Sequence, residues 1–145
     1  VYATVHADSI GETISRLTNP PISVAGNLLT AVNLNVVMFR DRRRGVRRIY
    51  QIGEYVESEE GTGVKPNILY RLKPSEDKLV AHSPSVRLFD DLSIHTGMSQ
   101  QEIINDLTEK ENILKWMVKN KIRELNRVGE VINKYYLNPE TVLKK

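Results

Sequence analysis

The chain has 145 residues, of which 40% are hydrophobic and 27% are charged, and its formal net charge at pH 7 is +3. This composition is typical of a soluble globular protein, and no apolar run reaches the roughly 18 residues that a membrane span needs, so an integral membrane class is excluded. The sequence contains no cysteine, which excludes disulfides and thiolate metal sites and favours a reducing, cytoplasmic setting.

The chain opens with a predicted strand and a predicted helix. Residues 2–6 (YATVH) favour a strand, and Ser9 with Glu12 has the spacing of a capping box, which starts a helix. The sequence NPP at residues 19–21 predicts the end of this helix, because a residue before proline leaves the helical region and proline has no amide hydrogen. The strand and the helix meet at a short polar junction.

A second helix and an apolar strand are predicted to follow. Ser23 is placed to cap a short helix over residues 24–32. Residues 34–39 (LNVVMF) form a nearly continuous apolar run, which is typical of a strand that helices cover on both faces. Together with the opening strand and helix, these elements predict a β-α-α-β crossover in an α/β fold.

The middle of the chain is predicted to be an antiparallel meander. A polar loop at residues 41–45 contains a glycine and joins the apolar strand to the next one, which indicates a hairpin. Further turns rich in Gly, Pro, Ser and Asp separate the later strands. The predicted strands span residues 47–57, 67–72 and 79–83, and the turns between them span residues 58–63 and 73–78.

The C-terminal part is predicted to be a small helical bundle. Helices are expected over residues 86–96, 100–120 and 124–136, and the capping box of Ser99 and Glu102 opens the second of them. An apolar stripe predicts the buried face of this long helix. The stripe consists of Ile103, Ile104, Leu107, Leu114, Met117 and Val118.

Positive charge is concentrated in residues 40–48 (RDRRRGVRR). Six arginines and one aspartate give this segment a net charge of +5. Because the net charge of the whole chain is +3, the remaining residues together carry −2. Clustered guanidinium groups attract phosphate and carboxylate, which suggests anionic lipid headgroups, an acidic protein face or nucleic acid as the partner. The alternative is a solvated hairpin tip. The predicted anion patch consists of Arg42, Arg43, Arg44, Arg47 and Arg48, and the acidic residues that would offset it are Glu54, Glu57, Glu59 and Glu60.

His6 is the first candidate for a ligand contact. It lies where the predicted strand ends and the helix begins, a position at which open α/β sheets present residues to ligands. A neutral imidazole can donate a hydrogen bond there and so report whether a phosphate is present. The alternative is a histidine whose hydrogen bonds are satisfied within the fold.

Asp8 and Ser9 are predicted to cap the helix, and Arg16 is either a surface charge or a group that reaches across a subunit boundary.

Several motifs of enzymes are absent from the sequence. The segment GTGVKP at residues 61–66 lacks the spacing of a phosphate-binding loop. His82 and His95 have no partner at metal-ligand spacing, so no metal site is expected. The sequence also contains neither a nucleophile elbow nor a carboxylate cluster for two-metal catalysis.

Several segments in a fixed order carry a resemblance to a known family. TVHADS (4–9), RLTNPPISV (16–24) and LNVVMFRDRRRGVRRIYQIGEY (34–55) resemble the later part of the motor domain of type II and type IV secretion ATPases. NILYRLKPSEDKLV (67–80) and EKENILKWMVKNKIRELNRVGEVINKYYLNPE (109–140) are similar to the archaeal branch, which drives type IV pilus-like filaments such as the archaellum. The resemblance covers essentially the whole chain.

The resemblance implies a fold and an assembly. The family has a RecA-like P-loop ATPase core and forms homo-hexamers on a polytopic membrane platform protein, at the cytoplasmic face of the cell membrane. Residues 1–84 are therefore expected to be the C-terminal portion of this core, and residues 85–145 a C-terminal helical subdomain. Nucleic acid is not an expected partner.

The resemblance also implies a nucleotide site. His6 would be the histidine of the family's His box, which lies near the γ-phosphate and couples nucleotide state to ring motion. Thr4 and Asp8 fall within the same box, and Arg16 lies in its neighbourhood. The implied cofactors of the full-length protein are ATP and Mg²⁺.

The chain departs from the family in what it lacks. The Walker A lysine, the acidic box, the Walker B carboxylate and the N-terminal domain are missing, so we expect a C-terminal fragment that does not hydrolyse ATP by itself. Two other functions remain open. One is a nucleic-acid-binding module whose C-terminal helices form a helix-turn-helix, and the other is a structural adaptor derived from an ATPase.

Overall fold

A computed structural model describes residues 2–58, 61 and 63–143 and shows a mixed α and β fold. The chain divides into two compact units, Val1–Leu92 and Ser93–Lys145. The sequence predicts this boundary slightly earlier, between residues 84 and 85. Glu59 and Glu60, two of the predicted counter-charges of the arginine segment, lie outside the described residues, as does Thr62 of the predicted turn.

The first unit contains a four-stranded antiparallel sheet in which each strand pairs with its neighbour in sequence. This arrangement confirms the predicted meander, because short turns bring each strand back beside the previous one. The strands are β1 (Asn35–Asp41), β2 (Val46–Glu57), β3 (Val64–Lys73) and β4 (Lys78–Ala81).

The predicted β-α-α-β crossover is wrong in two elements. Residues 2–6 form no strand, because none of the described strands pairs with them. The predicted second helix is a 3-10 helix, Gly26–Ala31, which has no side-chain cap. Ser23, the predicted cap, instead adopts a left-handed backbone with φ of 52°.

Helix α1 (Ile10–Thr18) begins and ends close to its predicted positions. The Ser9 hydroxyl accepts a hydrogen bond from the Glu12 amide at 3.0 Å, as a capping residue does. The Glu12 carboxylate accepts from the amide of Asp8 at 2.7 Å, one residue earlier than in a capping box. Apolar side chains of α1 then pack on the sheet in a core of Ile10, Leu29, Val37 and Tyr55, with Ile14 and Leu17 beside it.

Strand β1 differs from the expectation of a strand covered on both faces. It lies at the edge of the sheet and, within the described part of the chain, pairs with β2 alone. Val37 is buried against α1 and the core, whereas Val36 and Met38 are 48% and 60% exposed. The described part of the chain therefore covers one face of β1 and leaves apolar side chains of the other face in solvent.

Gly53 allows α1 and β3 to approach β2 closely. A Cβ atom at this position would lie 2.5 Å from Cδ1 of Ile10 and 2.6 Å from the carbonyl oxygen of Asn67, where the β2–β3 register is irregular. We expect Gly53→Ala to lower the free energy of unfolding by about 2 kcal/mol in urea denaturation, because a packed backbone cannot move away freely. Gly11→Ala is the matched control.

The control substitution adds the same methyl group at an open helical position. A Cβ at Gly11 would meet only the Ser9 hydroxyl oxygen, at 4.0 Å. Because alanine is the better helix former, Gly11→Ala should stabilise the protein by about 0.5 kcal/mol. A Gly53→Ala protein as stable as the wild type would contradict the close approach of the three elements.

Helix α2 (Leu88–Thr96) begins where a buried glutamate binds its first amides. Glu54 on β2 is only 1% exposed, so it does not offset the arginine segment as predicted. Its carboxylate accepts hydrogen bonds from the backbone amides of Val86 at 2.6 Å and Leu88 at 3.1 Å. The Ser85 hydroxyl and the Asn67 side-chain amide donate to the same carboxylate, at 3.0 Å and 2.8 Å.

These hydrogen bonds decide the ionisation of Glu54. Burial by itself raises the pKa of this carboxyl, but the donors from Val86, Asn67, Ser85 and Leu88 outweigh burial and hold the pKa below its ordinary value. Glu54 is therefore a buried carboxylate that remains ionised and connects β2 and β3 to the start of α2.

The second unit contains α3 (Gln100–Lys119), α4 (Leu125–Leu137) and α5 (Glu140–Leu143). The predicted capping box is confirmed, because Ser99 and Glu102 exchange both hydrogen bonds. Four of the six residues in the predicted stripe of α3 are not buried. Ile103 and Met117 are buried, but Ile104, Leu107, Leu114 and Val118 are exposed, and the buried Ile113 belongs to no predicted position.

The core of the second unit joins all three of these helices. Ile113 and Met117 of α3 pack with Tyr135 of α4 and Val142 of α5. Burial, with the nearby Glu109 carboxylate, raises the pKa of Tyr135 to about 12, so its phenol is neutral in this core at physiological pH.

Candidate functional site

Residues 2–8, here called the leading segment, form a wall of two clefts. The proline cleft has a volume of about 490 Å³ and lies between the leading segment, Arg16 of α1 and residues 20–22. The strand cleft has a volume of about 660 Å³ and lies between the leading segment, α1 and β1. Thr4, Val5 and His6 line both clefts, so this short stretch faces ligand-sized space on two sides.

The side chain of His6 is free within these clefts. His6 is exposed, and no hydrogen bond joins its imidazole to any residue that the structure describes. No contact therefore supports the alternative that hydrogen bonds within the fold satisfy the imidazole of His6. An exposed imidazole on the wall of a cleft can donate or accept a hydrogen bond to an incoming group.

Asp8 and Arg16 have their main contacts through Glu12. Asp8 uses its backbone amide rather than its carboxylate, and Arg16 contacts Glu12 by a hydrogen bond from Nε at 2.8 Å and an ion pair from Nη2 at 2.7 Å. The Asp8 amide, followed by the Arg16 guanidinium, lowers the pKa of Glu12 below its ordinary value. Glu12 therefore stays ionised and offsets part of the Arg16 charge where both line the strand cleft.

Buried polar groups of the sheet fix the position of α1 beside the clefts. The Gln51 side-chain oxygen accepts a hydrogen bond from the Ile10 amide at 3.2 Å. Asn35 donates to the Tyr55 hydroxyl at 2.6 Å, and burial raises the pKa of Tyr55. Because Ile10 is also packed beside Gly53, the first turn of α1 is held by both polar and apolar contacts. The leading segment therefore ends at a helix whose position on the sheet is fixed.

The sequence did not identify these positioning residues. Gln51, Glu54 and Tyr55 lie in a strand that reads as an ordinary alternation of apolar and polar residues, and they match no motif. The sequence carries no signal for them, because Gln51 accepts a hydrogen bond from α1 and Glu54 accepts hydrogen bonds from residues 85–88, and both segments are distant in sequence.

The structure brings the predicted residues of the nucleotide neighbourhood together. Thr4, His6, Asp8 and Arg16 all line the strand cleft. The arginines of residues 40–48 line neither cleft, so the predicted anion patch is a separate surface of the first unit.

The described residues contain neither a cluster of metal ligands nor a helix that could span a membrane. In residues 2–58, 61 and 63–143, no three His, Asp or Glu side chains converge closely enough to hold a metal ion. No helix within the same ranges combines the length and apolar character needed to cross a membrane.

Comparison with known proteins gives a relative without an assigned function. No family model matches the chain. It is 33% identical, over 144 residues, to a protein of Methanocaldococcus jannaschii that is described as uncharacterized, and the match covers 97% of this chain and 20% of that protein. The chain therefore spans about a fifth of the length of the curated relative it matches.

Proposed function

We propose that the chain is the C-terminal portion of a hexameric ATPase motor that powers type IV pilus-like filament assembly, as in the archaellum, or type II secretion. The observation that carries the proposal is the free His6 imidazole in the leading segment, followed by the ordered motifs that resemble this family. In that reading, residues 1–84 belong to a RecA-like core and residues 85–145 to its helical subdomain.

The strand cleft offers groups that suit one end of a nucleotide. His6 and Thr4 can each donate a hydrogen bond to a phosphate oxygen, and both are exposed on the cleft wall. Arg16 lines the same cleft and provides a cation close by, although Glu12 offsets part of its charge. These residues fit the terminal phosphate of ATP, which supplies the anhydride bond that is hydrolysed.

The described residues do not complete such a site. They contain no cluster of three or more His, Asp or Glu side chains that could hold a metal ion, and the sequence has no phosphate-binding loop. Phosphate cradling and Mg²⁺ positioning provide most of the catalysis in phosphoryl transfer. We therefore assign ATP and Mg²⁺ binding to a larger protein that includes this chain, and propose that the chain alone is inactive.

The exposed apolar side chains of the first unit support an assembly. Val36 and Met38 on β1 lie next to Val32 and Leu34, and all four line the strand cleft while remaining well exposed. Contiguous exposed apolar surface is typical of an interaction site. We propose that further polypeptide covers it in a homo-hexamer, which would lie on a polytopic membrane platform protein at the cytoplasmic face of the membrane.

ATP hydrolysis provides the test of this proposal. The full-length protein that contains this chain is expected to release phosphate from ATP in the presence of Mg²⁺, whereas the 145-residue chain is expected to release none. Absence of hydrolysis by a folded, full-length hexamer would contradict the proposal and favour the adaptor.

DNA binding would discriminate the nucleic-acid-binding alternative. A helix-turn-helix reader would bind a specific duplex with an affinity that falls steeply as salt increases. We expect the chain to bind no duplex specifically. Specific binding by a protein that also fails to hydrolyse ATP would replace the motor with the nucleic-acid-binding module.

A further inference from the structure

The tip of the β1–β2 hairpin holds its arginines in a fixed turn, here called the arginine turn (residues 40–48). The Asp41 carboxylate accepts hydrogen bonds from the backbone amides of Arg43 at 2.9 Å and Arg44 at 3.1 Å. Gly45 then provides the left-handed backbone, with φ of 66°, that lets the chain enter β2. The only acidic residue of the turn therefore shapes the backbone, and its ion pair with Arg44 is long, at 3.9 Å.

One arginine of the turn is already neutralised by the fold. Arg48 donates from Nε and Nη2 to the two carboxylate oxygens of Asp77, at 2.8 Å and 2.7 Å. This bidentate contact is the strong geometry of an arginine and a carboxylate, and it lowers the pKa of Asp77. Arg48 is thus a structural residue, and it differs in role from the other arginines of the predicted patch.

The other arginines have no such partner. Among the described residues, no acidic side chain pairs with Arg40, Arg42, Arg43 or Arg47. Arg40 and Arg47 are also directly opposite each other in the β1–β2 register. Because like charges at paired positions destabilise a sheet, this arrangement would be relieved by an anion bound from outside.

An apolar aromatic side chain lies immediately beside this free charge. Phe39 precedes Arg40 on β1 and is 45% exposed. A surface that combines arginines with exposed apolar and aromatic side chains suits the membrane interface, where guanidinium groups bind phosphates and apolar groups contact the acyl boundary.

We propose that the arginine turn is a binding site for acidic phospholipid headgroups at a membrane surface. Free Arg40, Arg42, Arg43 and Arg47 would bind the phosphates, with Phe39 in contact with the acyl boundary. A lipid surface fits better than nucleic acid because the remainder of the chain carries −2 and a polyanion that extended over it would be repelled. This inference does not depend on ATP hydrolysis.

Vesicle co-sedimentation tests the proposal with the 145-residue chain. The chain is expected to sediment with phosphatidylglycerol-containing vesicles in about 0.1 M salt and to stay in solution with pure phosphatidylcholine. Replacing Arg42, Arg43 and Arg47 together with glutamine should weaken the partition coefficient by about 100-fold, since each basic residue near an anionic surface contributes about tenfold or less.

A control variant removes the same number of charges from the other unit. Lys119→Gln, Lys121→Gln and Arg123→Gln change exposed residues outside the turn and should weaken vesicle binding by only about twofold. Unchanged circular dichroism spectra would show that both variants are folded. Equal losses in the two variants, or equal binding to both vesicle types, would overturn the site.

Soluble polyanions separate the remaining possibilities. If the wild-type chain does not bind vesicles but binds duplex DNA through Arg42, Arg43 and Arg47, the turn is a nucleic-acid contact and the lipid proposal is wrong. If the chain does not bind vesicles but binds polyglutamate through these three arginines, the partner is an acidic protein and the lipid proposal is also wrong. Neither outcome affects the ATP hydrolysis test, so the two proposals can fail separately.

Discussion

Replacing His6 with alanine in the full-length protein is expected to lower ATP turnover by about 100-fold or more. The reason is that His6 has a free imidazole on the wall of the strand cleft, where it would donate to the terminal phosphate as charge develops. Loss of one such preorganised donor typically reduces kcat by about 10²-fold to 10³-fold. Steady-state phosphate release, measured as kcat and KM for ATP, is the appropriate assay.

The other histidines of the chain provide matched controls. His82 and His95 are exposed and line neither cleft, so alanine at either position should leave kcat within about twofold of the wild type. His6→Asn keeps a hydrogen-bond donor and should recover part of the lost turnover. Wild-type kcat in His6→Ala, with the hexamer intact, would remove His6 from the site.

Replacing Glu54 with alanine is expected to destabilise the first unit by about 3 kcal/mol. The substitution removes the acceptor of five donors, which are the backbone amides of Val86, Arg87 and Leu88, the Ser85 hydroxyl and the Asn67 side-chain amide. The Val86 and Arg87 amides and the Ser85 hydroxyl would lose this acceptor, whereas the Leu88 amide keeps the Ser85 hydroxyl oxygen and Asn67 keeps the Pro84 carbonyl. Loss of a buried, ionised acceptor costs far more than loss of a surface contact. Urea denaturation followed by circular dichroism measures the change.

Hydrogen exchange locates the effect at the start of α2. The amides of Val86 and Arg87 should exchange slowly in the wild type and lose their protection in Glu54→Ala, whereas the Leu88 amide keeps the Ser85 hydroxyl as an acceptor. Glu57→Gln is the control, because Glu57 lies on the same strand and is exposed, so it should change stability by less than about 0.5 kcal/mol. Equal stability of Glu54→Ala and Glu57→Gln would contradict the role of the buried carboxylate.

The same carboxylate predicts the response of the first unit to acid. The pKa of Glu54 is lower in the folded protein than the ordinary value of 4.5, so the unfolded chain takes up its proton first as pH falls. The stabilisation is fully present above that ordinary pKa and is lost as the pH falls through the lower, folded pKa. Glu54→Gln should therefore be less stable at neutral pH and show a weaker loss of stability in this acidic range.

Local signals in the sequence were sufficient for much of the secondary structure. The Ser9 and Ser99 caps, the prolines after α1 and the glycine after α2 are chemical constraints that act over a few residues, and the structure has helix ends there. The meander was predictable for the same reason, because its turns are short and consecutive strands pair.

The errors arose where burial depends on a partner distant in sequence. An apolar run predicts that β1 prefers to be covered, but it cannot show that the neighbouring surface within this chain covers only one face. Residues 2–6 have strand propensity, but no strand in residues 2–58 or 63–143 pairs with them, so tertiary context overrides propensity. The exposed apolar side chains of α3 have the same explanation. The sequence shows that they are apolar, but their burial depends on whether another helix packs against them.

The candidate site was predictable in part. His6 was selected as the end of a predicted strand, and residues 2–6 form no strand, but the structure places Thr4, His6, Asp8 and Arg16 along one cleft. Gln51 and Glu54 could not be selected, because a buried polar residue has meaning only through donors that come from distant segments. Likewise, the pairing of Arg48 with Asp77 distinguishes one arginine of the turn only in three dimensions.

A structure of the full-length hexamer with a non-hydrolysable ATP analogue and Mg²⁺ would test the central proposal most directly. The proposal predicts that a ring nitrogen of His6 lies at hydrogen-bond distance, about 3 Å, from an oxygen of the γ-phosphate or from one bridging water. It also predicts that the phosphate loop and the Mg²⁺ ligands come from polypeptide outside this chain. A nucleotide bound far from the strand cleft, with His6 facing solvent, would contradict it.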